Sequence, residues 1–364
     1  LAYEEVNTTQ YLTDLFPKSW KISRIDGMTG FVADLVLHEQ LPTLIFRSEL
    51  DALPIKDNVD VDYASVNEGV MHACGHDMHT AILFTLAKIF DLELFNSRLK
   101  YNLRLIFQPG EELLPGGARQ FIEKGVLSDI NPVAAFALHL SPELKTGQVG
   151  VYDGPFMASG DEIHVKVVGK GGHAALMSNN IDPIVIASKL VLFIRELNNM
   201  DLSGNPHIAV IGDFQALGST NITPDCASLK GTMRTFSESD RVLLKTKIRD
   251  FCVELEQENN CKIELDIKEG YPSLINNHGI VERISATMLD FVGNEEVVSI
   301  PRRMTTDDFA YFSHQIPSCM MRLGCDGGAG EEHEVGKLHS SRFFPDEKAM
   351  KVGVKVFAML ALNY

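Results

Sequence analysis

Thr43-Leu44-Ile45-Phe46-Arg47-Ser48-Glu49-Leu50-Asp51 opens apolar and ends acidic. Its apolar run, 43–46, is too short for a helix and reads as a strand buried on both faces. Such a strand delivers Glu49 and Asp51 just beyond its end. Two further stretches repeat the pattern. Residues 103–107 (Leu-Arg-Leu-Ile-Phe) run into Gln108-Pro109-Gly110-Glu111-Glu112, and 133–138 end at His139-Leu140. Helical stretches at 78–90 and 117–125 alternate with these strands. In open α/β sheets the ligand crevice lies outside the carboxyl ends of the strands. An α/β catalytic core, with a central mixed sheet flanked by helices, is therefore expected. Taken singly, Glu111-Glu112 reads as solvated helix surface, Asp51 as a turn cap and His139 as a satisfied core histidine. Their shared place at strand ends favours function.

Outward from the first strand lies Met71-His72-Ala73-Cys74-Gly75-His76-Asp77-Met78-His79-Thr80. Cys74 and His76, one residue apart, can reach one ion if the backbone at Gly75 is extended or turned. Thiolate and imidazole suit borderline ions such as zinc. Asp77 would sit at a helix N-terminus, where a carboxylate is favoured. The competing readings are a structural zinc knuckle and a chance histidine cluster. A structural site wants four closed ligands, and none of the other five cysteines has a neighbour suited to that.

The rhythm changes near Met157. Residues 161–168 alternate with period two, as in a half-buried antiparallel strand. A helix at 182–199, opened by Asp182-Pro183, follows. Strands at 207–216 and 226–236, a helix at 238–258 and a strand at 261–268 complete a βαββαβ order, the ferredoxin-like split pattern. Helix 277–292, Asp307-Asp308, a glycine-rich loop at 324–330, His333 and His339 then return to the first pattern. The expected organisation is a catalytic domain over 1–156 and 271–364, interrupted by an α+β satellite over 157–270. At the N-terminus, residues 3–16 read as a helix with Asn7-Thr8-Thr9 as its cap.

The 364 residues, 45% of them hydrophobic, suffice for two packed domains. A net charge of −16 argues against nucleic acid or an anionic membrane as partner. No apolar run approaches the roughly 20 residues that span a bilayer. Six scattered cysteines suit a reducing compartment, and a cytoplasmic location is expected. The chain begins at Leu1 rather than Met, which leaves a removed leader or a trimmed N-terminus open.

Five stretches now carry a resemblance: 47–54 (Arg-Ser-Glu-Leu-Asp-Ala-Leu-Pro), 72–77 (His-Ala-Cys-Gly-His-Asp), 108–112 (Gln-Pro-Gly-Glu-Glu), 171–175 (Gly-Gly-His-Ala-Ala) and 338–340 (Leu-His-Ser). In kind and order they resemble the amidohydrolase branch of the aminoacylase/carboxypeptidase G-type metallopeptidases. That branch includes hydrolases of indole-acetyl-amino acids and hippurate and N-acetyl-diaminopimelate deacetylases. The resemblance spans about residues 27 to 350. It implies that Cys74, His76, Glu112, His139 and His339 bind a pair of divalent ions, with Glu111 as general base and Asp51 supporting the site. It assigns His173 to the oxyanion, Asn221 and Arg234 to the substrate carboxylate, and dimerisation to the satellite's helix and edge strand. Three departures stand out. Glu49-Leu50-Asp51 replaces the wider clan's His-x-Asp, Met78 replaces a glycine, and Asn221-Ile222-Thr223-Pro224 replaces Asn-Val-Ile-Pro.

The chemistry holds together without the resemblance. Amide hydrolysis needs a nucleophile at neutral pH, oxyanion stabilisation and a proton for the leaving nitrogen. Paired ions acidify a water, and a carboxylate that is not itself a ligand can carry its proton. The expected function is a dinuclear amidohydrolase acting on N-acyl amino acids or short N-acyl peptides. Zinc fits Cys and His, while the carboxylates would accept manganese, cobalt or nickel. His72 and His79 are left as supporting or packing residues. The alternatives are a dipeptidase or aminopeptidase of the same clan, and a non-catalytic metal- or partner-binding protein on this scaffold.

Overall fold

In the computed structural model the chain is described over residues 1–202, 204–291, 297–327 and 335–364. His333, residue 292 of the expected helix 277–292 and residues 328–330 of the expected glycine-rich loop lie outside the described residues. The chain divides into two compact units. One comprises Leu1–Gly154, Ile275–Arg302 and Asp307–Tyr364; the other comprises Pro155–Leu274 and Arg303–Thr306. No helix among the described residues is long and apolar enough to cross a membrane.

The first unit is built on an eight-stranded mixed sheet. Its order is Lys21–Arg24, Phe31–Leu35, Asn102–Gln108, Thr43–Glu49, Pro132–Lys145, Ser318–Asp326, Val149–Val151 and Val297–Ser299. Thr43–Glu49 lies near the middle, parallel to both neighbours and buried along its whole length. That burial on both faces explains the uninterrupted apolar run. Helices His76–Phe90 and Lys348–Asn363 pack with this sheet around Phe46, Leu83, Phe136 and Phe357.

Two expectations change here. The strand expected over 133–138 continues to Lys145, so His139 lies within it instead of at its end. Ser318–Asp326 carries the ladder onward, pairing Arg322 with His139. On the other side, Thr43–Glu49 pairs with this strand only as far as Ala137, so His139 still emerges beyond its neighbour's pairing. The N-terminal helix runs Val6–Leu15, which places Asn7-Thr8-Thr9 inside it, with Glu5 at the cap position making no side-chain cap bond. The side chains have other partners: Thr9 Oγ1 accepts the Gly30 N–H, and Glu5 turns into the protein.

The second unit carries a four-stranded antiparallel sheet in the order Ile208–Gln215, Cys226–Arg234, Asp161–Val168, Lys262–Glu269. Numbered along the chain, those strands read 2-3-1-4, the ferredoxin-like arrangement expected from the sequence. Helices Pro183–Leu197 and Glu238–Asn259 close a separate core over Val165, Leu190, Leu229 and Ile248. Asp182 caps the first helix by accepting the Ile184 N–H, with Pro183 in the first turn, as expected.

One buried ion cluster ties the second helix to this sheet. Arg241 donates to both oxygens of Asp161 at 2.6 and 2.8 Å, and Lys245 Nζ stands 3.2 Å away. Burial alone would raise the Asp161 carboxyl, but Arg241 and Lys245 outweigh it and hold the group below the usual carboxylate range. A depressed native pKa stabilises the fold above the unfolded value of about 3.9, and that share is lost as pH falls through the native value. Asp161→Asn leaves Arg241 buried without its principal partner and should cost about 3 kcal/mol. Urea melts at pH 7 and at pH 3 test this. The variant's deficit at pH 7 should shrink at pH 3, and an equal deficit at both pH values would contradict the linkage.

Candidate metal centre

Gly75 sets the local geometry. Its φ of 84° lies in the left-handed region, and a Cβ there would stand 2.5 Å from Leu140 Cδ1. Only glycine fits such a position without strain. The turn starts the helix at His76 and leaves Cys74 and His76 on either side of it. Asp77 sits in that helix's first turn, as expected.

The first unit brings together all five residues that the resemblance marks as ligands. Cys74, His76 and His139 form one group of potential ligand atoms within 4.8 Å of one another; Cys74, Glu112 and His339 form a second, and His76, Glu111 and Glu112 a third. Cys74 Sγ lies 3.3 Å from His139 Nε2, and His339 Nε2 lies 3.1 Å from Glu112 Oε1. His339 has φ 62°, and its N–H donates to Ala73 O at 2.8 Å, which holds it beside the Cys74 turn.

Their outer contacts orient these groups. His139 Nδ1 pairs with Leu140 O at 2.8 Å, and His76 Nδ1 lies 3.0 Å from Asp51 O and 3.2 Å from Asp51 Oδ1. Protons on those Nδ1 atoms leave both Nε2 lone pairs facing the cluster. His76 Nε2 is buried and has no hydrogen-bond partner among the described residues. An orphaned imidazole nitrogen beside a thiol, a carboxylate and two further histidines fits a divalent ion. Burial, then the charge of Arg322, holds His139 well below the usual imidazole range, hence neutral. Burial also pushes the Cys74 thiol up, and an adjacent dication would reverse that.

Asp51 bridges the halves of the cluster. One oxygen faces His76 Nδ1, and Oδ2 accepts the Glu112 N–H at 2.9 Å. Burial opposes its ionisation, but the His76 contacts and the Glu112 and Glu111 amides hold it down to about 2. Besides the group it shares with His76 and Glu112, Glu111 forms a further one with Asp307 and Asp308. Burial first, then Asp307, Glu112 and Asp308, pushes its carboxyl well above the ordinary range.

His79 is not free to bind a metal, although its atoms group with Glu49 and His76. Its Nδ1 faces Glu49 Oε2 at 2.9 Å, and its Nε2 accepts the Leu140 N–H at 3.0 Å. The expected packing role fits it. His72 joins none of the groups. Sequence reasoning gave no role to Arg47 or Asp308. Both are fully buried and ion-paired, and Asp308 also accepts from Gln108 and from the Ala118 N–H. For Arg47 the signal available was its place directly after the apolar run 43–46 of a buried strand.

In the second unit, His173 and Asn221 come together. Gly172–His173 pairs with Ile222–Thr223, and the Ala174 N–H donates to Asn221 O at 2.9 Å. Arg234 is not with them. It ends the strand that begins at Cys226, so about 26 Å of strand, at 3.3 Å per residue, separates it from Cys226. Arg234 Nη1 is buried and has no hydrogen-bond partner among the described residues.

A buried thiol, histidine and carboxylate cluster beside a second carboxylate, on this split α/β scaffold, defines a metal-dependent hydrolase. The chain matches the model of peptidase family M20/M25/M40 over residues 45–363, and it belongs to that family. It is similar to the N-acetylcysteine deacetylase of Bacillus subtilis, 32% identical over 100% of this chain and 92% of that enzyme. It is also similar to the IAA-amino acid hydrolase ILR1-like 4 of Arabidopsis thaliana, 30% identical over 100% of this chain and 82% of the relative. Among solved structures, a dinuclear metal-binding M20 peptidase from Bacillus subtilis superposes with a TM-score of 0.84 at 29% identity. That match covers 100% of this chain and 93% of the other.

Proposed function

We propose that this enzyme hydrolyses the amide bond of N-acyl amino acids or short N-acyl peptides, with Glu111 as general base. The observation that carries this reading is the pair of adjacent glutamates with different surroundings. Both share a group with His76, but only Glu112 also groups with Cys74 and His339, and only Glu111 with Asp307 and Asp308. Cys74, His76, Glu112, His139 and His339 would hold two divalent ions, zinc by the softness of Cys and His. Bound there, the ions would acidify a water and polarise the scissile carbonyl. Glu111, its carboxyl raised by burial, takes the water's proton and passes it to the leaving nitrogen. Asp51 keeps His76 turned inward and Glu112 in register.

For the substrate, Arg234 supplies a half-buried guanidinium fork suited to an α-carboxylate. His173 Nδ1 accepts the Ala175 N–H at 3.2 Å, which fixes the neutral ring as an Nε2–H donor for an oxyanion. The length of the Cys226–Arg234 strand supports a site that takes His173 and Arg234 from different chains. A homodimer supplies the missing half. Its contact surface is the sheet's edge strand, Ile208–Gln215, where Ile208, Val210 and Phe214 are exposed, together with Ile184, Val185 and Leu192 of the neighbouring helix. An apolar edge of that kind needs cover.

A panel of N-acetyl amino acids, the matching carboxamides and the matching dipeptides, assayed on metal-reconstituted protein, tests the reading. Acyl amino acids should turn over and the carboxamides poorly. Cleavage of dipeptides alone would move the protein to the aminopeptidases, and bound metal without any turnover would make it a binding protein.

A further inference from the structure

Resting on the reading of Glu111 as base, we propose that the N-terminal residues Tyr3 and Glu5 are positioning residues for it, fastening the loop that carries it. That loop, 109–117, has little regular structure, so its amides need other acceptors. The Glu112 N–H goes to Asp51 and the Ala118 N–H to Asp308, both near the candidate centre. The Gly117 N–H closes on Gly110 O at 3.0 Å. The Gly116 N–H also reaches Leu113 O at 3.1 Å, and further fasteners come from residues 3 and 5. Glu5 Oε1 accepts the Gly110 N–H at 2.9 Å, immediately before Glu111. Tyr3 Oη donates to Leu113 O at 2.9 Å and accepts the Gly116 N–H at 3.1 Å.

The packing is as close as the bonding. A Cβ on Gly110 would stand 2.4 Å from Tyr3 Cε1, so the ring lies flush on that backbone. Tyr3 itself holds φ 63°, a conformation a non-glycine residue keeps only where its surroundings fix it. Glu5 is 4% exposed, and its second oxygen accepts from Thr29 Oγ1. Such a buried carboxylate is costly unless its bonds are needed. Glu111 follows Gly110 directly, so loosening the backbone at Gly110 would shift its carboxyl from its place beside His76 and Glu112.

The test uses the full chain loaded with zinc. Glu5→Ala should lower kcat about 10–100-fold, since a displacement near 1 Å can cost that much, with KM and zinc content near wild type. Glu5→Gln, which keeps an acceptor oxygen for the Gly110 N–H, should restore most of it. Tyr3→Phe keeps the ring and loses both loop bonds, so it should lower kcat several-fold by an independent route. Because the effect acts through Glu111, Glu5→Ala should add nothing to Glu111→Gln. Wild-type kcat in both Glu5→Ala and Tyr3→Phe would overturn the proposal, as would a Glu5→Ala loss that multiplies onto that of Glu111→Gln. Wild-type activity in Glu111→Gln would instead overturn the reading of the base.

Discussion

Glu111→Gln is expected to lower hydrolysis about 10²–10⁴-fold or more while leaving metal content and the unfolding midpoint near wild type. The amide is close in size to the carboxylate, so packing beside Asp307 and Asp308 persists; what disappears is the ability to take a proton. Metal analysis alongside steady-state rates checks the result. Loss of metal in this variant would mean that Glu111 is a ligand and that the roles of the two glutamates are exchanged.

His173→Ala is expected to depress kcat about 10²–10³-fold, the effect of removing one pre-placed oxyanion donor. Arg234→Ala should act mainly on KM for substrates bearing a carboxylate. The proposed dimer makes a sharper test available. Equimolar unfolding and refolding of Glu111→Gln with His173→Ala should recover activity that neither variant has alone. In the mixed dimer, one core with intact Glu111 meets an intact His173 from the other copy. No recovery, with mixed dimers demonstrated by differential tagging, would place His173 in its own chain's site. Near-normal kcat in His173→Ala alone would reduce the second unit to a module for assembly.

Much of the architecture was legible because it follows from backbone periodicity. Strand Asp161–Val168 alternates buried and exposed along its length, as its period-two sequence requires. Thr43–Glu49, between two parallel neighbours, and Asn102–Gln108, between one parallel and one antiparallel, are buried throughout, as interior strands with apolar runs must be. The cluster around Cys74 could be read because Cys-Gly-His is local and chemically unusual. What escaped were charges that fold inward. Glu5, Arg47 and Asp308 were given no buried role, and their burial depends on partners far along the chain, such as Gly110 for Glu5. In the second unit, an extended strand separates Arg234 from Cys226, which the resemblance alone did not reveal.

The proposed ligands lie at residues 74, 76, 112, 139 and 339, on separate strands, turns and loops of one unit. Only Cys74 and His76 are neighbours before the chain has folded. The centre therefore has no counterpart in the unfolded state, and an ion can be captured tightly only after the long-range strand pairings exist. Its affinity then adds to the stability of the finished fold and leaves the early, topology-limited steps untouched. Chelation should thus speed unfolding and leave refolding kinetics alone, which makes metal supply a determinant of how long this protein survives and not of whether it can form.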